Sequence, residues 1–400
     1  IIELVKKTQG EKPAIQRLGD QVSAVFVPVV VAIAILTFLA AYFIFALSAQ
    51  QALMNAVAVL VISCPCAMGL ATPTAVSVGL GRAAKRGILI KGGLTIESFA
   101  KVQKIVFDKT GTLTTGKFKL QKIEIIKDGL DESYIKSNII ALAERSSHPI
   151  SVSLKNEFKD TISPADLFAI RELKGKGMTG KNKHNEVVSL GSEKILNHHP
   201  ELKFNLYLSI NGEPIAGLQV EDQIKPGAKE MIETFHQQGI ETIMLSGDKK
   251  DRCKKIADEL GIKHVYSEQL PEQKLEIIRK LASETNIAMV GDGVNDAPAL
   301  SLAQTGISPG DATQVAVNAA QVVLLNKENL ESLAEAWKLS KLTLRTIKQN
   351  LFWAFFYNVL AIPLAAMGYL SPMIAAFSMA FSDVIVIGNS IWLKRKKLPE

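Results

Sequence analysis

The sequence predicts a multi-pass α-helical membrane protein with a cytoplasmic α/β domain interrupted by a second, α+β domain. Three observations carry that reading. Of 400 residues, 48% are hydrophobic while 21% are charged, which fits membrane spans joined to a soluble body. Long apolar runs come in pairs near the two ends of the chain. Between the pairs, Lys104–Phe107, Glu241–Leu245 and Asn286–Val290 are short apolar stretches that read as buried strands, each running into an Asp-containing loop.

In chain order, residues 1–23 are polar at first and read as a linker into the membrane. Ala24 to Leu47 is long enough to span, since a crossing takes about 20 apolar residues. Ser48-Ala49-Gln50-Gln51 reads as a short uncharged turn, and Ala52 to about Ala71 as the second span. Arg82, Lys85, Arg86 and Lys91 form a basic collar that sets the cytoplasmic side. The far end repeats this plan: Leu351–Leu370, a turn at Ser371-Pro372, Met373–Leu393, then Lys394-Arg395-Lys396-Lys397. Four spans with both ends cytoplasmic is the expected topology. The net charge of +7 is read as these anchors, so no nucleic-acid partner is expected. Three cysteines, Cys64, Cys66 and Cys253, make no disulfide framework. Expected boundaries are 24–82 for the first two spans, 83–117 and 219–342 for the interrupted α/β domain, 118–218 for the insert, and 343–400 for the last spans and tail.

Asp108-Lys109-Thr110-Gly111-Thr112-Leu113-Thr114 follows the strand Lys104–Phe107, so Asp108 sits at a strand's carboxyl end, where open α/β sheets hold ligands. A carboxylate there can attack phosphorus and become an aspartyl-phosphate. A hydrolytic enzyme of this design wants a second carboxylate two residues on, and Thr110 stands there instead. Three further pieces suit the same chemistry. Ser246-Gly247-Asp248 offers a hydroxyl and backbone N–H groups, and Lys274 offers positive charge. Gly291-Asp292-Gly293-Val294-Asn295-Asp296 brings carboxylates suited to Mg²⁺, a hard ion that prefers oxygen ligands. Ser-Gly-Asp alone is weak, and a Pro-x-x-Lys is usually a helix start. The four together are specific.

In the second apolar run, Cys64-Pro65-Cys66 interrupts the helix near mid-membrane. On a regular helix, residues two apart point about 200° from each other. Both thiols can meet one ion only where Pro65 breaks the helix. Paired thiolates select soft ions, Cu(I) first and Zn²⁺ next.

The seven-residue Asp108 stretch, with the other three pieces in this order, resembles the haloacid dehalogenase-like (Rossmann-like) catalytic domain as P-type ATPases use it. Cys64-Pro65-Cys66, with Tyr357-Asn358 and Met379-Ala380-Phe381-Ser382-Asp383, resembles the copper-exporting branch of the heavy-metal-transporting P-type ATPases. The resemblance implies that Asp108 accepts the γ-phosphate of ATP, with Thr112 and Ser246 lining the phosphate. It implies Mg²⁺ held by Asp108, the Thr110 carbonyl and Asp292, with Asn295 and Asp296 completing the loop. Asp222 and Lys225 match the hinge returning from the insert. Glu144 and His148, with Gly175 and Gly177, match the nucleotide-binding domain, although a lone Ser-His-Pro or Gly-x-Gly is more often structural. The transported Cu(I) is assigned to Cys64, Cys66, Tyr357, Asn358, Met379, Ser382 and Asp383.

One residue departs from that pattern: Asp383 stands where the branch has a second Ser. A carboxylate there would harden the site, so a Zn²⁺ or other divalent pump is the nearest alternative. A membrane-tethered haloacid dehalogenase-like phosphatase and a metal sensor are the others. The actuator's Thr-Gly-Glu and an N-terminal Cys-x-x-Cys domain do not occur, so the complete protein is expected to begin well before Ile1. Those domains, lipid and a copper chaperone as metal donor are the expected partners, in a cell membrane.

Overall fold

A computed structural model describes residues 14–158, 162–198, 204–326 and 329–398. Residues 1–13 of the expected linker lie outside the described residues, and 14–23 form the first turns of helix α1 (Ala14–Leu39). That helix tightens into a π-helical turn, Ala40–Ile44. Helix α2 (Ala49–Ile62) begins earlier than expected. Ser48 accepts from the Gln51 N–H and Gln51 Oε1 accepts from the Ser48 N–H, a reciprocal capping box. The uncharged stretch read as a turn is therefore the start of the helix. After a break at 63–65, helix α3 (Cys66–Ala84) carries the chain to β1 (Ile88–Ile90), α4 (Gly93–Ala100) and β2 (Lys104–Phe107).

The chain then divides into two compact units, Thr110–Lys225 and the remainder. The insert holds β3 (Thr114–Ile125), α5 (Glu132–Ala143), α6 (Pro149–Phe158), β4 (Phe168–Leu173), β5 (Gly177–Lys181), β6 (Val187–Gly191), β7 (Leu206–Ile210) and β8 (Glu213–Ile224). Its sheet is antiparallel, in the order β3-β8-β7-β6-β5-β4. Helices α5 and α6 bring Ile135, Ile139, Leu142, Leu154 and Phe158 into one core with Val188, Leu208 and Leu218. The insert is wider than the expected 118–218 because β3 and β8 pair from Thr114 opposite Ile224 to Ile125 opposite Ala216. The connecting segments are thus part of its own sheet.

Beyond the insert come α7 (Ala228–Gln237), β9 (Glu241–Leu245), α8 (Lys250–Leu260), β10 (His264–Tyr266), α9 (Pro271–Glu284), β11 (Ile287–Val290), α10 (Ala297–Leu302), β12 (Thr305–Pro309), α11 (Gln314–Ala319) and β13 (Val322–Leu324). With β1 and β2 they form a seven-stranded sheet, β1-β13-β12-β11-β2-β9-β10, parallel except at the β1 edge. The central strands are buried on both faces, which is why they read as unbroken apolar runs. Phe107 lies opposite Val290 on one side and Met244 on the other, so the loops after β2, β11 and β9 emerge at one end of the sheet.

The chain closes with α12 (Glu331–Ala366) and α13 (Pro372–Trp392), the latter capped by Ser371, which accepts from the Ile374 N–H at 3.3 Å. Among the described residues, three stretches are long and apolar enough to cross a membrane: Ala24–Ile44, Ala49–Ala84 and Pro372–Trp392. The expected third span, Leu351–Leu370, lies at the end of α12, whose helical part stops at Ala366. Large apolar side chains stand exposed on these helices, Phe43, Phe352, Phe377 and Val384 among them, as lipid-facing surfaces require.

Candidate active site and metal-binding residues

Asp108 follows β2 directly and is 7% exposed. Lys274 lies in the first turn of α9, after Pro271, and its stem is buried. Its Nζ is 2.5 Å from Asp108 Oδ1 and 3.2 Å from Asp296 Oδ1. One carboxylate oxygen each from Asp108, Asp292 and Asp296 lies within 4.8 Å of the others. Burial, then the Asp296 charge, pushes the Asp108 carboxyl up to about 6, although Lys274 pulls it down. Burial alone would lower Lys274, but the Asp108 and Asp296 charges outweigh it and hold the ammonium above its ordinary value. The two shifts differ in origin: burial leads at Asp108, while the charges of Asp108 and Asp296 prevail at Lys274. The cluster has the oxygen donors and the negative charge that suit Mg²⁺.

The loops around it are held by short-range geometry. A Cβ at Gly291 would fall 2.8 Å from Asp296 Cβ, so only glycine lets Asp296 fold back there. Asp296 Oδ2 accepts from the Gly293 N–H at 3.2 Å. The Asp292 carbonyl accepts from the Thr313 N–H at 3.0 Å, pinning the loop to the N-cap of α11. Asn295 is exposed on the turn Val294–Asp296. After β9, Ser246 is buried and its Oγ accepts from the Asp248 N–H at 3.1 Å, while Gly247 packs near the Gln269 carbonyl.

Lys109, given no role from sequence, is 4% exposed and pairs with Asp248 at 3.1 Å. This ties the Asp108 loop to the Ser-Gly-Asp loop. A lysine between a strand-end Asp and a Thr-Gly turn is the available signal; nothing in sequence points to Thr313.

Within the insert, the hinge residues lock its two connecting segments together. Thr114 Oγ1 donates to Asp222 at 2.6 Å, the Lys225 N–H donates to the Leu113 carbonyl, and buried Lys225 Nζ donates to the Gly111 carbonyl at 2.5 Å. Thr112 Oγ1 is buried with no hydrogen-bond partner among the described residues, a hydroxyl available to a ligand oxygen. Glu144 is exposed at the carboxyl end of α5, and His148 is exposed before α6. His148 Nδ1 accepts from the Ile150 N–H at 3.3 Å, so the proton of a neutral ring sits on Nε2.

Helix α5 packs on β5 and β6, the strands of Gly177 and Gly191. Gly177 has a structural reason of its own. A Cβ there would sit 2.2 Å from the Leu190 carbonyl oxygen, at φ +147°. Gly175, at φ +72°, faces open space.

Between α2 and α3 the helix is broken at Ser63–Pro65, as expected, and the break turns Cys64 and Cys66 toward one another. One expectation is corrected: the two are joined in a disulfide, so neither is a free thiolate. Asn358 is buried, but Tyr357 packs with the α1–α2 cluster of Val30, Val59 and Ile62. Met379, Ser382 and Asp383 are half-buried on the stripe of α13 that holds buried Ala375 and Val386. Asp383 Oδ1 is enclosed with no hydrogen-bond partner among the described residues.

Residues 103–304 match the haloacid dehalogenase-like hydrolase family. A copper-exporting P-type ATPase of Staphylococcus haemolyticus is 40% identical across 100% of this chain and 51% of its own length. One from Bacillus subtilis is 41% identical, over 99% and 51%. The chain thus spans about half the length of the curated relatives it matches. A zinc-transporting PIB-type ATPase in an E2.Pi state superposes with a TM-score of 0.85 at 29% identity, covering 98% of this chain and 66% of that one. A catalytic CPx-ATPase domain matches 66% of this chain with a TM-score of 0.53 at 29% identity.

Proposed function

Since the chain belongs to the haloacid dehalogenase-like hydrolase family and is similar along its whole length to copper-exporting P-type ATPases, we propose that it is the core of an ATP-driven Cu(I) exporter. The observation that carries this is the buried Asp108–Lys274–Asp296 cluster at the sheet's carboxyl end, with Thr110 where a hydrolase would place a second acid. Asp108, once ionised, attacks the γ-phosphorus of ATP. The bond from its carboxylate oxygen to phosphorus forms, the β–γ bridging bond breaks, and ADP leaves with the electron pair. Lys274 sits where charge builds on the transferring group and steadies it. Thr112 and Ser246 offer hydroxyls to phosphate oxygens. Mg²⁺, held by Asp108, the Thr110 carbonyl, Asp292 and Asp296, would neutralise charge on the transferring phosphoryl group. Glu144, His148, Gly175 and Gly177 are the proposed nucleotide contacts, and Asp222 with Lys225 the hinge.

The missing acid explains why the aspartyl-phosphate persists long enough to drive transport. The reduced Cys64–Cys66 pair, with Asn358, Met379 and Ser382, would hold Cu(I) within the membrane; Tyr357 is a second-rank member, given where it packs. A copper chaperone as donor and surrounding lipid belong to the same proposal. A divalent cargo is the second reading, favoured by the orphaned Asp383 Oδ1, a hard oxygen in a soft site.

The test uses the complete gene product, γ-labelled ATP and Mg²⁺, with Cu(I), Zn²⁺ or chelator. Acid-stable label that needs Cu(I) and is lost in Asp108→Asn and Cys64→Ser is the expected result. A Zn²⁺ requirement would shift the cargo to the divalent reading. Absence of label with every metal would return the chain to a phosphatase or sensor.

A further inference from the structure

One polar chain at the cytoplasmic end of the helices has no part in the site above. Asn350 of α12 is 2% exposed and uses both ends of its amide on adjacent residues of α13. Its Nδ2 donates to Ser390 Oγ at 2.8 Å, and its Oδ1 accepts from Asn389 Nδ2 at 2.7 Å. Ser390, fully buried, is 3.1 Å from Thr74 Oγ1 on α3. Asn389 Oδ1 also accepts from Lys396 Nζ at 3.0 Å. Three helices and the tail are therefore bonded to one another at a single level.

What lies above this level gives the arrangement its meaning. One turn on from Thr74, Asn350 and Ser390 are Ala71, Ala354 and Val386, which form a dry layer with Ala67, Met68 and Leu351. One turn further are Cys66 on α3, Asn358 on α12, and Ser382 and Asp383 on α13. The clamp, the apolar layer and the candidate ligands are successive storeys of the same three helices. Small alanine surfaces give little resistance to sliding, and apolar contacts in lipid have no direction. A slip of one residue moves a helix by about 1.5 Å, enough to break a ligand set. The hydrogen bonds have direction and hold the register.

We propose that Asn350 is a positioning residue for the transported-metal site: through Ser390, Asn389 and Thr74 it sets the axial register that brings the cysteine pair, Asn358 and the α13 residues together. The inference rests on the metal-site reading above, and its test separates the two. In the complete protein, labelling from γ-labelled ATP is titrated with Cu(I) for wild type, Asn350→Ala, Ser390→Ala, Ser390→Thr and Cys64→Ser. Labelling from inorganic phosphate with metal chelated reports the catalytic unit alone.

Asn350→Ala should raise the half-activating Cu(I) concentration about tenfold, the scale of two interhelical hydrogen bonds, with maximal labelling within about twofold. Ser390→Ala should shift it less, and Ser390→Thr, which keeps the hydroxyl, should stay near wild type. Labelling from inorganic phosphate should be unchanged. An unshifted half-activating concentration in Asn350→Ala, or equal loss of both labels, overturns the positioning role while the Cys64 dependence stands. Wild-type labelling indifferent to Cu(I) and to Cys64→Ser overturns the metal-site reading and the positioning role together.

Discussion

Removing Lys274 tests the central charge arrangement most directly. Its Nζ lies 2.5 Å from one buried carboxylate and 3.2 Å from another. At an effective dielectric of ~20 those separations correspond to gross attractions of about 7 and about 5 kcal/mol. Desolvation of the ammonium offsets much of this, and deleting one partner of a buried pair costs about 3–5 kcal/mol. For a domain of this size that is a fall in melting temperature of roughly 10–15 °C for Lys274→Ala in the metal-free protein.

A purely packing role would predict the same fall in any buffer. The electrostatic account predicts more. Without the ammonium, Asp108, Asp292 and Asp296 repel one another, so Mg²⁺ should stabilise the variant more than wild type. At 100-fold excess over its dissociation constant, Mg²⁺ returns about 2.7 kcal/mol. Lowering the pH to about 5.5 should also help, since Asp108 then takes up a proton. Thermal unfolding of the complete protein, with chelator and with Mg²⁺, reads all of this. A variant that loses the same stability with and without Mg²⁺, and at both pH values, would refute the charge-balance argument.

Other outcomes follow from the same geometry. Asp108 has a folded-state carboxyl raised to about 6, so between its ordinary value of 3.8 and that point the folded state binds more protons than the unfolded one. Stability of the metal-free protein should therefore fall as pH rises through this window, by at most about 3 kcal/mol. Asp108→Asn should flatten that slope in a pH series of denaturant melts. Gly177→Ala must accommodate a Cβ 2.2 Å from a backbone oxygen, and should destabilise the insert by on the order of 3 kcal/mol, seen as earlier denaturant unfolding. Lys225→Met leaves the Gly111 carbonyl without its buried donor and should weaken ATP-dependent labelling while sparing nucleotide affinity, measured by equilibrium binding.

The parts legible in sequence were those set by local pattern. Lys104–Phe107 and Glu241–Leu245 are strands at the expected limits, because a strand buried on both faces is apolar along its length and its loops begin abruptly with Asp or Ser. The four loop motifs gave the order of the phosphate-site pieces, and the register of β2 with β9 and β11 brings three of them to one end of the sheet. What sequence did not reveal depends on partners far along the chain. Ser48 reads as turn in sequence because its reciprocal partner, Gln51, is as polar as the loop around it. The compact unit Thr110–Lys225 reaches beyond 118–218 because Thr114 pairs with Ile224, residues far apart in the chain. Likewise, that Asn350 should meet Ser390 could not be read from either helix alone.

Helix α12 runs without interruption from beside the parallel sheet, at Glu331, to Ala366. At ~1.5 Å per residue its 36 residues make a rod about 54 Å long. Pivoted as a rigid rod about its first turn, it would displace its far end by about 1 Å per degree of tilt. Asn350 and Asn358 ride on this arm beyond its midpoint, so a tilt of a degree or two at the sheet would become an ångström-scale shift among the membrane residues.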